Sequence, residues 1–487
     1  MGATLCATTM PVNAGTLRDA LTQAYRTNPS LAGARAGQRV VDENVPLAKA
    51  QSRPSASATA TYTENIYTSS TTQAFTNARS VSVNPTISVP LYNGGAIKNA
   101  IRAAEMRVDA GRANLRATES SLFSAVVGAY MDVIRDEAVV SLNRAQVGVL
   151  NINLQATRDR FEIGDLTRTD VAQSEARLAT SISGMESARA QLIRSKETYI
   201  QLVGLPPGDL DAPPPLPNLP ASPDAAVEIS LANNPDLKSA QVLREAAVYD
   251  RKGANGSRLP VVGAFTSGSY SNALGSSRFN GASANIDQSQ TSAQFGIRAT
   301  IPLYQGGEPA ARIRQSQARL SQAQEAEIAA ERDTIAQTRA SYASWRASNE
   351  VIASSERAVS ANELSLEGVR AENSVGNRTI LDILNAEQEL LNSKVQLVTA
   401  RRNSYVAGFT LLAAMGRAEA RDLGLDGGAL YDPSEYYETV QGAWNDWSSR
   451  ADPVAQATRN IDSPAQKADI ELLTELKPPL RRSKRGN

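Results

Sequence analysis

The chain has 487 residues, and its 50 lysine and arginine residues balance its 50 aspartate and glutamate residues. A formal net charge of zero removes the electrostatic attraction on which nucleic-acid binding depends. With no histidine and one cysteine, the sequence excludes an internal disulfide and any catalytic or metal site built on histidine.

The N-terminal stretch MGATLCATTMPVNA is mildly apolar and ends in the small-residue pattern Val12-Asn13-Ala14. Signal peptidase recognises such patterns, so we interpret residues 1–14 as the remnant of an export signal. An ordinary frayed terminus is the alternative. On the first interpretation, the mature chain begins near Gly15.

A long internal duplication organises the rest of the sequence. The segment VPLYNGGAIKNAIRAAEMR, from Val89, returns 212 residues later as IPLYQGGEPAARIRQSQAR, from Ile301. Repeats of this length are duplicated domains rather than short solenoid units. The predicted organisation is a first repeat over 15–205, a linker with eight prolines over 206–223, a second repeat over 224–416, and a packed element followed by a disordered tail over 417–487.

Each repeat is predicted to begin with a short helical segment, over 16–52 or 223–258, followed by two strands. In SASATATYTENIY and SVSVNPTISVPLY, small or polar residues alternate with apolar ones, which predicts a β-hairpin over 55–92. The same pattern predicts a second hairpin over 260–304. The tyrosines at the predicted strand ends suit the aromatic belts of a membrane protein; they are Tyr62, Tyr67, Tyr92, Tyr270 and Tyr304.

Four such strands cannot close a barrel, and open strand edges are not tolerated in hydrocarbon. Membrane insertion therefore requires several chains: two would supply about eight strands and three about twelve. The alternative is a soluble two-stranded hairpin packed on a core, but the sequence offers no further strands to complete a soluble sheet.

Long proline-free stretches rich in Ala, Gln, Glu, Arg and Leu follow each predicted β-hairpin and favour long helices. Each stretch has one strong break, at Gly164 or Gly376, which predicts the tip of a helical hairpin. The predicted helical hairpins are 96–205, with its tip near 161–170, and 309–416, with its tip near 373–382. The return arms are the shorter ones, and we expect the short helical segment at the start of each repeat to stack end to end on its return arm.

The motifs PLYNGG and PLYQGG before a long helix, the tips FEIGDLTRTDV and NSVGNRTILDIL, and the return helix NAEQELLNSKVQLV resemble the TolC family of outer-membrane efflux proteins. The resemblance covers roughly Leu17 to Gly416. It implies an α+β fold: an outer-membrane β-barrel shared among three chains, with four strands each, that continues into a long periplasmic α-helical coiled-coil barrel, internally duplicated. It also implies location in the cell outer membrane with extension into the periplasm.

As a member of this family, the chain would be a passive, gated exit duct without cofactors, recruited by a periplasmic adaptor (membrane fusion) protein and an inner-membrane ABC or proton-driven transporter. Its other contacts would be outer-membrane lipid and two further copies of itself. The ending LYDPSEYY with AWNDW is similar to members that serve type I protein secretion. Multidrug efflux is the alternative within this class, and a trimeric coiled-coil adhesin is the alternative outside it.

An enzyme is the least supported class, because the sequence has no glycine-rich phosphate loop with a lysine and no nucleophile with a histidine partner.

The resemblance also assigns roles to residues at the tips. It places Asp382 in a ring of three acidic side chains at the narrowest point, where an anionic constriction attracts cations, with Asn385 at the family's second ring position. Arg378 matches the arginine that ties the inner hairpin to its neighbours, with Thr169 and Asp170 as its first-repeat partners and Asn373 in place of the family's tyrosine. From spacing alone, Asp170 and Asp382 are instead carboxylates that stabilise helix N-termini.

The remaining candidate residues lie at turns. Those expected at the hairpin tips, where an adaptor would dock, are Gly164, Asp165, Leu166, Gly376 and Asn377. Those expected at the strand-to-helix turns, where glycine permits the change of backbone direction, are Gly94, Gly95, Gly306 and Gly307.

Overall fold

Helices account for most of the chain. The computed structural model describes residues 15–67, 77–217, 219–277, 287–425, 430–455 and 457–468. The predicted signal remnant and the end of the predicted disordered tail lie outside these residues. Within them, no helix is both long enough and apolar enough to cross a membrane.

The first repeat contains three short helices, two strands and two long helices. They are α1 (Leu17–Thr27), α2 (Pro29–Asp42), α3 (Asn44–Ala50), β1 (Ser55–Glu64), β2 (Arg79–Asn93), α4 (Ala96–Glu162) and α5 (Arg168–Val203).

The second repeat has the same order with two short helices in place of three. Its elements are α6 (Pro223–Asn233), α7 (Pro235–Asn255), β3 (Val261–Asn272), β4 (Ser289–Thr300), α8 (Glu308–Ser374) and α9 (Ile380–Ala414). Among the described residues that follow the second repeat, Pro433–Val440 form a further α-helix, α10.

Two asparagines join the short helices to the return arms end to end. The Asn28 side chain accepts hydrogen bonds from the N–H groups of Ser30 and Leu31, which caps α2, and its Nδ2 donates to Leu202 O near the end of α5 (3.0 Å). Asn234 makes the same contacts in the second repeat, capping α7 while its Nδ2 donates to Ala414 O at the end of α9 (3.0 Å). Each asparagine thus satisfies backbone groups of two helix ends at once.

The four strands form one antiparallel sheet in the order β1-β2-β3-β4, so β1 and β4 are both open edges. Ser55 lies opposite Ser88, and Val261 lies opposite Thr300, which are equivalent pairs in the two repeats. In the single chain β4 ends at Thr300, short of the predicted end at residue 304. The reason is that β3 begins at Val261, so residues beyond Thr300 have no strand of the same chain beside them.

The largest apolar core lies midway along the helices, where α4 is packed between α1 and α5 and near the end of α9. Phe123, Tyr130 and Tyr199 are fully buried there. The proline-rich linker is part of this packing, because Tyr130 Oη donates to Asp211 O (2.7 Å) and Tyr405 Oη to Pro214 O (3.0 Å).

Residues 417–425 and 430–441, which we call the strap, follow α9 and pack against α4, α1 and α2. The N–H of Ala420 donates to Glu119 on α4 (2.5 Å), and the N–H of Tyr431 donates to Tyr25 Oη on α1 (3.0 Å). Tyr436 Oη donates to Glu43 at the end of α2 (2.6 Å). The LYDPSEYY motif therefore holds the strap against α1 and α2.

Candidate functional site

The two helical hairpin tips are built by the same turn chemistry. Gly164 and Gly376 have φ of +83° and +82°, a left-handed conformation that glycine adopts without strain. The N–H of the residue after each glycine bonds back to the last turn of the helix: Asp165 to Arg160 O and Asn377 to Glu372 O, both at 2.9 Å. This Schellman arrangement ends α4 and α8 and reverses the chain.

A capping box then starts each return helix. The carboxylate of Asp382 accepts from the N–H of Thr379 (2.9 Å) and from its hydroxyl (2.8 Å), and the Thr379 hydroxyl accepts from the N–H of Asp382 (3.3 Å). Asp170 and Thr167 make the same contacts in the first repeat. Both aspartates thus stabilise helix N-termini, the role that spacing alone indicates.

These hydrogen bonds also keep the carboxylates charged. Donation from the backbone N–H and hydroxyl of Thr379 holds the pKa of Asp382 below its ordinary value. The hydroxyl and the backbone N–H of Thr167 lower the pKa of Asp170 in the same way. Capping therefore favours the ionised form that an anionic constriction at Asp382 requires.

Within the single chain, Arg378 pairs with its own hairpin. Its Nε lies 2.7 Å from Glu372 Oε2, and this carboxylate raises the pKa of the Arg378 guanidinium. Asn373 donates from Nδ2 to Arg378 O (2.7 Å), which braces the turn. Thr169 is exposed on the other hairpin. The described residues of one chain therefore do not bring Arg378 to Thr169 or Asp170, and a latch between them stays a prediction about neighbouring chains.

Asn385 joins the two hairpins of one chain. Its Oδ1 accepts a hydrogen bond from Arg177 Nη2 (2.7 Å), which connects α9 to α5 about one and a half turns into α9 and two and a half turns into α5. Sequence reasoning did not anticipate Arg177, because the contact depends on how the hairpins lie side by side.

Two matched ion pairs cross the hairpins just behind the tips. Arg158 bonds to Glu175 (2.6 Å) in the first hairpin, and Arg370 bonds to Glu387 at the equivalent positions of the second. The first pair is exposed, whereas the Glu387 side chain is only 5% exposed. Both pairs recur at the 212-residue shift, so comparing charges between the repeats would have revealed them.

The other residues at the tips include both polar and apolar side chains that are exposed. Asp165 is held by Arg160 (2.6 Å) and Leu166 is partly buried, while Asn377 is exposed. Ile163 and Val375, next to the turn glycines, are exposed apolar side chains. Among the described residues, no group of three or more acidic or cysteine side chains is arranged to hold a metal ion.

Paired glycines connect strand to helix at the opposite end of the long arms. Gly94, Gly95, Gly306 and Gly307 all have positive φ, between 59° and 85°. A Cβ on Gly94 would also lie 2.6 Å from Gly256 O, so the first turn is restricted by close packing as well as by conformation.

Comparison with known proteins gives a consistent result. The sequence profile of a family described as "Outer membrane efflux protein" matches residues 20–205 and 226–417, one segment in each repeat and together more than half of the chain. The "Outer membrane efflux protein BepC" of Brucella suis biovar 1 (strain 1330) is 35% identical over 429 residues, 88% of this chain and 91% of that protein. The "Alkaline protease secretion protein AprF" of Pseudomonas aeruginosa is 27% identical over 316 residues, 64% of each protein.

A solved structure extends the similarity to the fold. The Campylobacter jejuni CmeC outer membrane channel has a TM-score of 0.73 to this chain at 13% identity, covering 88% of this chain and 89% of that one. The similarity confirms the predicted fold class, a duplicated arrangement in which strands lead into a long helical tunnel.

Proposed function

This chain belongs to the outer membrane efflux protein family, and we propose that three copies of it form the exit duct of a tripartite export system. It is a transport protein of the outer membrane rather than an enzyme. The observation that carries the proposal is the open sheet: each chain offers β1 and β4 as unpaired edges. Closing that sheet with copies of itself removes every edge, as a membrane requires.

The strand dimensions support insertion. Tyr92 and Val83 lie nine residues apart on β2, and Val83 is opposite Tyr270 on β3. At about 3.4 Å per residue and a tilt of about 40°, the two tyrosine levels are roughly 23 Å apart, close to the apolar band of about 25 Å in outer-membrane barrels.

The duplication gives the register expected between chains. Within the chain, β2 of the first repeat pairs with β3 of the second, with Ser88 opposite Phe265. The repeat maps β2 onto β4 and β3 onto β1, so Thr300 of one chain should lie opposite Thr59 of the next. On this register the residues after Thr300, which form no strand in the single chain, gain a partner in the neighbouring β1.

Cysteine pairs test this register directly, because Cys6 is the only native cysteine and can be replaced. Opposed residues in an antiparallel pair have Cα atoms about 4.5–5.5 Å apart, within disulfide range. With Thr59→Cys and Thr300→Cys in one chain, oxidation should give linked trimers on denaturing gels. A control with Thr63→Cys and Thr300→Cys places the thiols out of register; equal linking in both variants, or none in the first, would refute the proposed pairing.

We further propose that the helical hairpin tips close the periplasmic end. Three copies of Asp382, each kept ionised by Thr379, would form an anionic ring, and Asn385 bound to Arg177 would hold the ring-bearing hairpin against its neighbour. Arg378 would exchange Glu372 for Thr169 and Asp170 of an adjacent chain in the closed state. Exposed contacts of this kind are worth about 0–1 kcal/mol each, which suits a gate that an adaptor must open.

For the cargo, we propose type I protein secretion, with an inner-membrane ABC transporter and a periplasmic adaptor as partners. The similarity to AprF and the ending LYDPSEYY with AWNDW support this choice. The similarity to BepC supports multidrug efflux as the second candidate. Deleting the gene for this chain distinguishes the two candidates. Loss of a secreted protein with unchanged drug sensitivity supports secretion, whereas increased drug sensitivity with unchanged secretion supports drug efflux.

A further inference from the structure

Two exposed tryptophans follow α10. Trp444 is 72% exposed and Trp447 is 94% exposed. The third tryptophan of the chain, Trp345, packs edge-on against Tyr342 with ring centroids 5.8 Å apart. Two tryptophans three residues apart that are both exposed are candidates for a contact surface.

Two cations of the first repeat hold this segment in place. Lys49 at the end of α3 donates to Gln441 O (3.2 Å), and Arg53 donates to Ala443 O. The Arg53 guanidinium also lies 5.7 Å from the centre of the Trp444 ring, a cation–π contact.

The turn that carries the rings is ordered as well. Asn445 Oδ1 accepts the N–H of Trp447 (3.0 Å), and Asn445 O accepts the N–H of Ser448 (3.3 Å). The two tryptophans therefore flank a defined turn.

This turn lies at the end of the sheet that joins the helices. Arg53 precedes the first residue of β1, Ser55, by two positions, and an extended chain spans at most about 3.6 Å per residue, so the Cα atoms of Arg53 and Ser55 lie within about 7 Å of each other. Trp444, which contacts the Arg53 side chain, is therefore near the start of β1. Leu91 and Tyr92, at the same end of β2, are exposed too. The turn that carries the tryptophans is thus close to the end of the sheet where Tyr92 lies.

We propose that Trp444 and Trp447 anchor the chain in the periplasmic leaflet of the outer membrane, where they contact phospholipid at the boundary between headgroups and acyl chains. The inference rests on the proposed insertion of the strands, which puts this end of the sheet at the membrane surface. Tryptophan is enriched at that boundary because its ring is apolar and its N–H is polar. Arg53, beside the Trp444 ring, and Lys49, bonded to Gln441 O, supply positive charge that attracts lipid phosphates.

Tryptophan fluorescence in phospholipid vesicles tests the anchor. Replacing tryptophans by phenylalanine gives three proteins with one tryptophan each, at 444, 447 or 345. Each is reconstituted with lipids brominated near the ester end of the acyl chain, and separately exposed to iodide in the aqueous phase. Flotation with vesicles and channel conductance are measured on the same samples.

The anchor predicts that brominated lipid strongly quenches Trp444 and Trp447 and leaves Trp345, the matched control, unchanged. Quenching of Trp444 and Trp447 by iodide alone would overturn it, because the rings would then face water or the lumen. Quenching by neither agent would also overturn it, by showing that a neighbouring subunit covers the rings. If the protein conducts and floats with vesicles while either result holds, only the anchor fails. A protein that does not float with vesicles would refute the proposed channel itself.

Discussion

The matched ion pairs behind the two hairpin tips give a quantitative prediction about the gate. Glu387 is 5% exposed and its partner Arg370 is 52% exposed, whereas Arg158 and Glu175 are 49% and 50% exposed. Replacing Arg370 by methionine keeps the aliphatic stem but leaves the Glu387 carboxylate buried without a counter-ion. Replacing Arg158 by methionine leaves Glu175 in water.

The two substitutions should therefore differ in free energy. Removing one partner of a buried pair costs about 3–5 kcal/mol, and because Arg370 is half exposed we expect about 2–3 kcal/mol for Arg370→Met. The exposed pair should be worth about 0–1 kcal/mol. At 1.4 kcal/mol for each tenfold change, local opening of the second hairpin should increase roughly 30- to 150-fold, and that of the first hairpin about fivefold at most.

Amide hydrogen exchange, read by mass spectrometry on peptides from both hairpins, measures this opening. Arg158→Met is the matched control. The double variant Arg370→Met with Glu387→Gln should exchange almost as slowly as the native chain, because no buried charge then lacks a partner. Equal acceleration in both hairpins, or no recovery in the double variant, would refute the reasoning.

Further predictions concern the constriction, the latch and the strap. Asp382→Asn keeps an oxygen that accepts the Thr379 N–H but removes the charge, so it should abolish block by divalent cations in planar-bilayer recordings; persisting block would mean that the cations bind elsewhere. Arg378→Gln should loosen the closed state and increase antibiotic leakage into cells, and unchanged leakage would count against the latch. Burial raises the pKa of Glu119, where the strap docks, so docking should be tightest at acidic pH and weaken as pH rises through the folded pKa. Proteolysis of the strap should accordingly be faster at neutral than at acidic pH. Glu119→Gln should reduce that difference and leave the part due to Glu419 on the strap, whose pKa is also raised by burial.

Local chemistry made much of the fold predictable. Proline-free, alanine-rich stretches broken once by glycine led to the long hairpins, and alternation led to the strands. Because the sequence is duplicated, each of these elements is predicted twice, once in each repeat. The position of Asp382 just after the hairpin turn was enough to suggest that it stabilises a helix N-terminus, and its carboxylate does accept the N–H of Thr379.

The remaining contacts depend on how distant elements lie side by side, which a single sequence does not encode locally. Arg177 reaches Asn385 only because the two hairpins are adjacent. Arg53 and Lys49 donate to the backbone of Ala443 and Gln441, which lie 390 and 392 residues further along the chain. In the single chain β4 ends at Thr300, because β3 offers no residues beyond Val261 to pair with it. The prediction that the strand continues to residue 304 depends on pairing with β1 of a neighbouring chain.

The native mass of the protein extracted in detergent from the outer membrane tests the central claim most directly. A single chain weighs 51.8 kDa, and the proposed trimeric duct predicts a particle of three chains with no smaller species at equilibrium. A two-chain particle, or a monomer that stays in solution without detergent, would contradict the trimeric duct.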